Sequence, residues 1–206
     1  MIQLPHTQLF YARHQPKDAR QTLLLIHGAG GSHLTWPAEL RRLPETAVYA
    51  LDLAGHGRSA SPSHSSIAAY TQDVLDFIAA LALQDLVVLG HSMGGAIAQM
   101  VGLAQPPGVT GLIFLGTGAK LRVSPAILEV IQEDYGKAIS LLNQFYWSGQ
   151  QTPEVEAANR RSMMACPAEV MLNDFRACDQ FDLRSRLAEI SLPALVISAS
   201  ADQMTP

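Results

Sequence analysis

Ser92 has the sequence setting that acyl-transfer chemistry requires. It lies in the sequence Gly-His-Ser-Met-Gly over residues 90–94, after the apolar run 86–89 and before a segment rich in small residues. Glycines two positions to either side leave room for a sharp strand-to-helix turn that exposes the serine oxygen. At a helix N-terminus, the helix dipole and free N–H groups favour the negative charge of an acyl-transfer intermediate. The pattern predicts a serine nucleophile, and a plain glycine-serine turn is the alternative.

A second glycine-rich loop has the sequence His-Gly-Ala-Gly-Gly at residues 27–31 and follows the apolar run 22–26. Such a loop can point backbone N–H groups into a cavity, so we predict that the N–H groups of Ala29 and Met93 form an oxyanion hole. A phosphate-binding loop is the alternative, but the loop is not followed by Gly-Lys-Ser/Thr and does not match Gly-x-Gly-x-x-Gly. His27 is predicted to be a hydrogen-bonding residue of the loop rather than a catalytic base.

Short apolar runs alternate with segments of helical spacing along most of the chain. Runs typical of strands buried on both faces lie at residues 22–26, 48–51, 86–89, 112–115 and 194–197, and a loosely alternating strand is predicted at 8–14. Helices are predicted at 32–43, 66–83 and 93–104. This alternation predicts an α/β fold with a doubly wound, mostly parallel sheet.

Residues 119–187 interrupt the alternation. They contain amphipathic helix patterns and no convincing strand, so we predict a helical cap inserted between two strands of the sheet. The predicted domain organisation is therefore a core in two parts, residues 1–118 and 188–206, with the cap between them.

The composition argues against several classes of partner. The net charge of −4 at pH 7 and the pI of about 5.9 leave no basic patch for nucleic acid and no polybasic anchor for a membrane. No apolar run reaches the roughly 18 residues of a membrane span, and residues 1–15 lack the pattern of a secretory signal. Cys166 and Cys178 are predicted to be free thiols. We therefore expect a cytoplasmic protein with a small-molecule partner.

Together the motifs resemble the α/β-hydrolase superfamily, in its branch of serine hydrolases with a helical cap. Residues 51–59 resemble that family's Asp-x-x-Gly-x-Gly-x-Ser loop, which is mainly structural, so its side chains are not counted as catalytic. Residues 193–206 resemble the strand and loop that carry the acid of the catalytic triad, with Ala199 where a glycine is usual. The resemblance implies that Asp202 is that acid.

The resemblance fails at the base of the triad. The family's order is serine, acid and then histidine, but all seven histidines precede Ser92 and the sequence ends at Pro206. His91 adjoins the serine, yet its side chain is expected on the strand side of the turn. One hypothesis places the catalytic histidine and a last helix, strand and helix beyond residue 206, which would leave this chain with little or no activity. The other hypothesis is a native short chain that serves as a non-catalytic binding module.

The favoured function is hydrolysis of a small carboxylic ester or related acyl compound through an acyl-enzyme on Ser92. Carbon–carbon bond hydrolases, enol-lactonases and thioesterases share the motifs and stay as alternatives. Tyr146, Trp147 and Met163 are predicted to line an apolar substrate pocket, although the cap could use them for its own packing. No metal or cofactor is expected, because no His, Cys and Asp cluster has ligand spacing.

Self-association is a further expectation. If elements that cover the strand at 194–197 are missing, that strand becomes an edge of the sheet and apolar surface is left uncovered.

Overall fold

The computed structural model describes residues 1–146 and 152–205. Within these residues the strands are β1 (Ile2–Gln3), β2 (Gln8–His14), β3 (Gln21–Ile26), β4 (Thr46–Asp52), β5 (Leu86–His91), β6 (Val109–Leu115) and β7 (Ala194–Ile197). The helices are α1 (Ala38–Arg41), α2 (Ile67–Ala80), α3 (Met93–Ala104), α4 (Pro125–Glu133), α5 (Tyr135–Tyr146), α6 (Pro153–Met164) and α7 (Ala168–Gln180). Short 3₁₀ helices lie at His33–Thr35 and Leu187–Glu189.

These strands form one sheet in the order β1-β2-β4-β3-β5-β6-β7. β2 pairs antiparallel with β1 and β4, whereas the neighbouring pairs from β4 through β7 are all parallel. The parallel strands β3 to β7 are those predicted from continuous apolar runs. Strands β3 to β6 bury most of their side chains, as strands covered on both faces do, but the burial predicted for the run at 194–197 is wrong, because each residue of β7 is exposed. The prediction of an α/β fold with a mostly parallel sheet is confirmed.

The central strand β3 packs on both of its faces. Leu24 belongs to a large core cluster that includes the fully buried Phe77 of α2 and Ile97 of α3. The neighbouring Leu23 and Leu25 belong to a different cluster, which contains the buried Trp36. Successive side chains of a strand point to opposite faces, so β3 is packed on both faces of the sheet. The loop that follows β3 therefore begins at a well-packed strand.

The helix predicted at residues 32–43 is wrong as a single element. Trp36 has an extended backbone, with φ −79° and ψ 135°, and Pro37 precedes a helix of only four residues, α1. A proline disfavours the helical conformation in the residue before it and offers no N–H for the helix ladder. The segment therefore divides into the 3₁₀ helix His33–Thr35 and α1.

Four described helices, α4 to α7, lie between β6 and β7 in the sequence. They bury a hydrophobic cluster of their own, in which Ile139 of α5 and Met171 of α7 are fully buried. An antiparallel bridge between Lys120 and Asp182, with an ion pair of 2.9 Å between the same side chains, joins the two ends of this segment. We call α4–α7 the helical segment, and its assignment as a separate cap domain stays a prediction.

β7 is the most exposed strand of the parallel sheet. Leu195, Val196 and Ile197 expose 55%, 65% and 42% of their surface, and β7 pairs only with β6 among the described strands. An edge strand with exposed apolar side chains is a site where another chain can pair.

We propose that the chain self-associates through the β7 edge. Val196→Lys places a charge on that edge. The weight-average molar mass measured by analytical ultracentrifugation should therefore fall toward that of the monomer. Leu34→Lys is the matched control, since Leu34 is also 65% exposed but lies outside the sheet. A parent chain that stays monomeric at every concentration, or a Val196→Lys variant that associates as strongly as the parent, would contradict the proposal.

Candidate active site

Ser92 lies in a strained turn between β5 and α3. Its backbone has φ 53° and ψ −118°, a region that residues with a side chain seldom adopt and that costs about 1–3 kcal/mol. A Cβ on Gly90 would overlap the backbone of Gly94, and a Cβ on Gly94 would overlap the carbonyl of Ile26. Glycine is required at both positions, as the sequence pattern predicts, because backbone segments touch there.

Backbone hydrogen bonds hold this turn to the sheet. The Ser92 N–H donates to the carbonyl of Leu115 at 3.0 Å, and the Ser92 carbonyl accepts from Gly95 N at 2.8 Å and from the Thr117 hydroxyl at 2.8 Å. No hydrogen bond of the Ser92 hydroxyl occurs among the described residues, and that side chain faces three neighbouring cavities. The turn is fixed through its main chain while its side chain is available for chemistry.

The loop after β3 lies directly against Ser92. A Cβ on Gly28 would be 3.1 Å from the Ser92 Cβ, and Ala29 and Ser92 line the same two cavities. Met93 is the first residue of α3, so its N–H has no carbonyl partner within the helix. The structure brings Ser92, Ala29 and Met93 together, and the oxyanion hole that they would form stays a prediction.

His27 holds the start of this loop. Its Nδ1 lies 2.8 Å from the Gly28 carbonyl, and its Nε2 accepts from Leu53 N at 3.1 Å, which makes the ring neutral with its proton on Nδ1. Burial lowers the pKa of His27 well below its usual value, and the neighbouring His56 lowers it further. A buried neutral imidazole that bridges two loops is a structural group, as expected.

Asp52 organises the loop after β4. Its carboxylate accepts from His33 N at 2.6 Å and from Arg58 N at 2.8 Å, and the His33 Nδ1 lies 2.8 Å from it. Gly57 has φ +53°, and a Cβ there would overlap the Asp52 carboxylate. These contacts explain the Asp-x-x-Gly-x-Gly pattern as a loop folded around one buried carboxylate.

Asp202 follows β7 and lies near Ser92. Its carboxylate accepts from the N–H groups of Met204 and Thr205, each at 2.9 Å, and from the Thr205 hydroxyl at 2.9 Å. Partial burial opposes ionisation, but these hydrogen bonds outweigh it and hold the pKa of Asp202 below its ordinary value. Asp202, Ser92 and His91 line a common cavity of about 220 Å³.

His91 is closer to the site than the sequence suggests. Its ring makes an edge-on contact with Trp36 at a centroid distance of 6.4 Å, and His91 also lines the cavity shared by Ser92 and Asp202. Burial lowers the pKa of His91, and Asp202 partly offsets that effect. No hydrogen bond joins His91 to Ser92 or Asp202 among the described residues.

Two further cavities open at Ser92. One of about 330 Å³ has both apolar and basic side chains in its lining, which includes Ala29, Leu121, Val123, Phe175, Met204, Lys120, Arg122 and Arg184. Lys120 and Arg184 are both paired with Asp182. The other, of about 530 Å³, is lined by Met163 and by the glycines of the loop after β3. Tyr146 lines both, whereas Trp147 lies outside the described residues. Tyr146 and Met163 thus face cavities that contain Ser92, although Met163 also packs inside the helical segment.

Sequence reasoning missed Asp174 of α7. This side chain is fully buried and accepts hydrogen bonds from the loop after β3, from the loop after β4 and from α2. The available signal was an acid on the apolar face of a helix, since Val170, Met171 and Phe175 around it are also buried.

Within residues 1–146 and 152–205, no group of three His, Cys, Asp or Glu side chains is placed to hold a metal ion. In the same residues, each helix is too short or too polar to cross a membrane.

Comparison with known proteins places this geometry in a family. A model described as "Alpha/beta hydrolase family" matches residues 23–206. The putative carbamate hydrolase RutD of Rhizobium rhizogenes is 28% identical over 203 residues, which cover 92% of this chain and 77% of that protein. The pimeloyl-[acyl-carrier protein] methyl ester esterase of Yersinia pseudotuberculosis is 26% identical over 200 residues, which cover 89% and 76%.

A solved structure shows the same fold. The esterase EaEST from Exiguobacterium antarcticum superposes with a TM-score of 0.88 at 19% identity, and the match covers 97% of this chain and 80% of that one. With a family model that spans most of its length, this chain belongs to the alpha/beta hydrolase family and is a hydrolase.

Proposed function

We propose that this hydrolase cleaves a small carboxylic ester or related acyl compound through an acyl-enzyme on Ser92. The observation that carries the proposal is the strained turn at Ser92, whose hydroxyl has no hydrogen-bond partner among residues 1–146 and 152–205 and faces cavities shared with Ala29 and Tyr146. Ser92 combines a positive φ with ψ −118°, and strained backbone of this kind clusters at functional sites.

The chemistry proceeds in two steps on the same oxygen. Ser92 Oγ attacks the carbonyl carbon and gives its proton to a base, while the N–H groups of Ala29 and Met93 hold the oxyanion of the tetrahedral intermediate. The intermediate collapses, the carbon–oxygen bond to the alcohol breaks, and the base returns the proton to the leaving alcohol. Water then attacks the acyl-enzyme by the same route, which releases the acid and restores the serine hydroxyl.

Asp202 orients the base in this proposal. Because hydrogen bonds hold its pKa low, the carboxylate is ionised near neutral pH and can stabilise an imidazolium across the cavity that it shares with Ser92. The base in this proposal is the histidine that follows the acid in the family's order, whereas the seven histidines of residues 1–206 all precede Ser92. Without a base, the oxyanion hole and binding leave roughly 10³–10⁴-fold over water, so we expect this chain alone to be a poor catalyst.

The substrate is proposed to be a small uncharged or weakly polar acyl compound in the cytoplasm. Cavities of about 330 and 530 Å³ at Ser92 have the size of small-molecule sites, and Tyr146 and Met163 supply adaptable apolar walls. Trp147 lies outside the described residues, and its role in the pocket stays a prediction from the sequence. The names of the relatives include a methyl ester esterase and a putative carbamate hydrolase, which favour an ester-type bond, cyclic esters included, over carbon–carbon or thioester cleavage.

Fluorophosphonate labelling with added imidazole tests the nucleophile. Free imidazole can enter the cavity between Ser92 and Asp202 and act as the base, so labelling should be slow without it and should rise to saturation with its concentration. Intact-mass and peptide analysis should place one adduct on Ser92, and Ser92→Ala should abolish it. Ser65→Ala, a change at an exposed serine, is the control that keeps it. A folded parent chain that shows no imidazole-dependent labelling would instead favour the binding module.

Asp202→Asn tests the proposed acid in the same assay. The amide lacks the charge that stabilises an imidazolium, so the imidazole-assisted rate should fall about tenfold or more, against the ~10⁴-fold cost of this change in a complete triad. The control is Asp18→Asn, which removes the same charge from an exposed side chain. An unchanged rate in Asp202→Asn would remove Asp202 from the mechanism.

The ionisation of Asp202 also predicts how the imidazole-assisted labelling rate depends on pH. With the pKa of Asp202 lowered, its carboxylate stays ionised as the pH falls toward mildly acidic values. The decline of the assisted rate on acidification should therefore follow the protonation of imidazole, and repeating the assay with imidazoles of different basicity should move the midpoint accordingly.

A further inference from the structure

Asp174 joins the helical segment to both loops beside Ser92. It is fully buried on α7, and its Oδ2 accepts from Gly30 N at 2.8 Å and from His56 Nε2 at 2.7 Å. Its Oδ1 accepts from the Tyr70 hydroxyl at 2.7 Å. These three partners lie between 104 and 144 residues away in the sequence, so one carboxylate ties together α7, α2 and the loops after β3 and β4.

The geometry makes the contact with His56 an ion pair. His56 Nδ1 lies 3.0 Å from the Ala54 carbonyl and Nε2 lies 2.7 Å from the Asp174 carboxylate, so both ring nitrogens face acceptors. Only the imidazolium donates from both nitrogens. Burial lowers the pKa of His56, but the charge and hydrogen bond of Asp174 outweigh that effect and raise it above its usual value.

The Tyr70 hydroxyl completes the set of donors. Burial, followed by the neighbouring Asp174 charge, raises the pKa of Tyr70, so the phenol keeps its proton and donates. A buried ion pair by itself adds little stability, because both charges lose their water. The three donors that converge on the Asp174 carboxylate instead hold the loop at residues 28–30 in one conformation.

Gly30 connects the Asp174 carboxylate to the proposed oxyanion hole. It follows Ala29 directly, has φ +64°, and a Cβ there would overlap the Met171 side chain of α7. The Gly30 N–H bond to Asp174 and the packing of Met171 therefore set the peptide after Ala29 from the side of the helical segment. Displacement of a catalytic group by about 1 Å can cost up to about 10²-fold in rate.

We propose that Asp174 is a positioning residue: through Gly30 it holds the Ala29 N–H in place for the oxyanion, with His56 and Tyr70 holding the carboxylate. This inference rests on the proposed function, in which that N–H stabilises the intermediate. Asp174 does not touch substrate, and it makes the position of α7 a condition for a formed oxyanion hole.

The test uses fluorophosphonate labelling of the full chain with saturating imidazole, resolved into the inhibitor affinity KI and the maximal rate kinact. Phosphonylation develops negative charge on the phosphoryl oxygen, which the same N–H groups would stabilise, so Asp174→Asn should lower kinact about tenfold to a hundredfold and leave KI within about twofold. Glu169→Gln, an exposed acid on the same helix, is the matched control and should change neither constant.

A second variant covers the case in which Asp174→Asn does not fold. Tyr70→Phe keeps the ring and all charges but removes one donor, and should lower kinact about threefold or more with KI unchanged, together with faster hydrogen exchange at the Gly30 N–H. A folded Asp174→Asn chain with parental kinact, or a Tyr70→Phe chain with both kinact and Gly30 exchange unchanged, overturns the inference. Failure of the proposed function is distinct, because the parent chain itself would then show no Ser92 adduct.

Discussion

The contact between the backbone of the Ser92 turn and the end of β3 is the constraint on which the site depends. Gly94 lies against the carbonyl of Ile26, and Gly90 lies against Gly94, so any side chain at either glycine would force the segments apart. This contact keeps Ser92 at a positive φ that would relax in isolation. The cost of that strain is offset by the burial of β3 and β5, whose side chains fill the core on both faces of the sheet.

The parallel sheet explains why the groups proposed to react lie close together. β3, β5 and β7 run in the same direction, so the loops carrying Ala29, Ser92 and Asp202 all follow the carboxyl ends of their strands, on the same side of the molecule. Ligands bind at the carboxyl ends of such strands, where loops can vary while the sheet stays rigid. Here α3 starts directly after Ser92, which leaves the N–H of Met93 on the same side.

The helical segment is also tied to the loops beside Ser92. Asp174 of α7 is buried and accepts hydrogen bonds from Gly30, His56 and Tyr70. The loop that carries Ala29 is therefore held both by β3, which it follows, and by α7. A hydrolase of this design can vary the surface of its helices and change substrate, provided that the buried carboxylate keeps its partners. Selectivity and the readiness of the oxyanion hole would then be linked through one helix.

Local patterns in the sequence were enough to predict β2 to β7, the turn at Ser92 and the loop of Ala29, but not the two-residue strand β1. Asp202 was identified only through the resemblance to a family. Burial periodicity and glycine spacing act over a few residues, and so they are visible without the fold. Pro37 was an equally local signal that the helix predicted at 32–43 overlooked. Only the tertiary structure places His91 beside Asp202 and Asp174 against Gly30, because these contacts join residues more than a hundred positions apart, and their energy comes from burial that no single segment can supply.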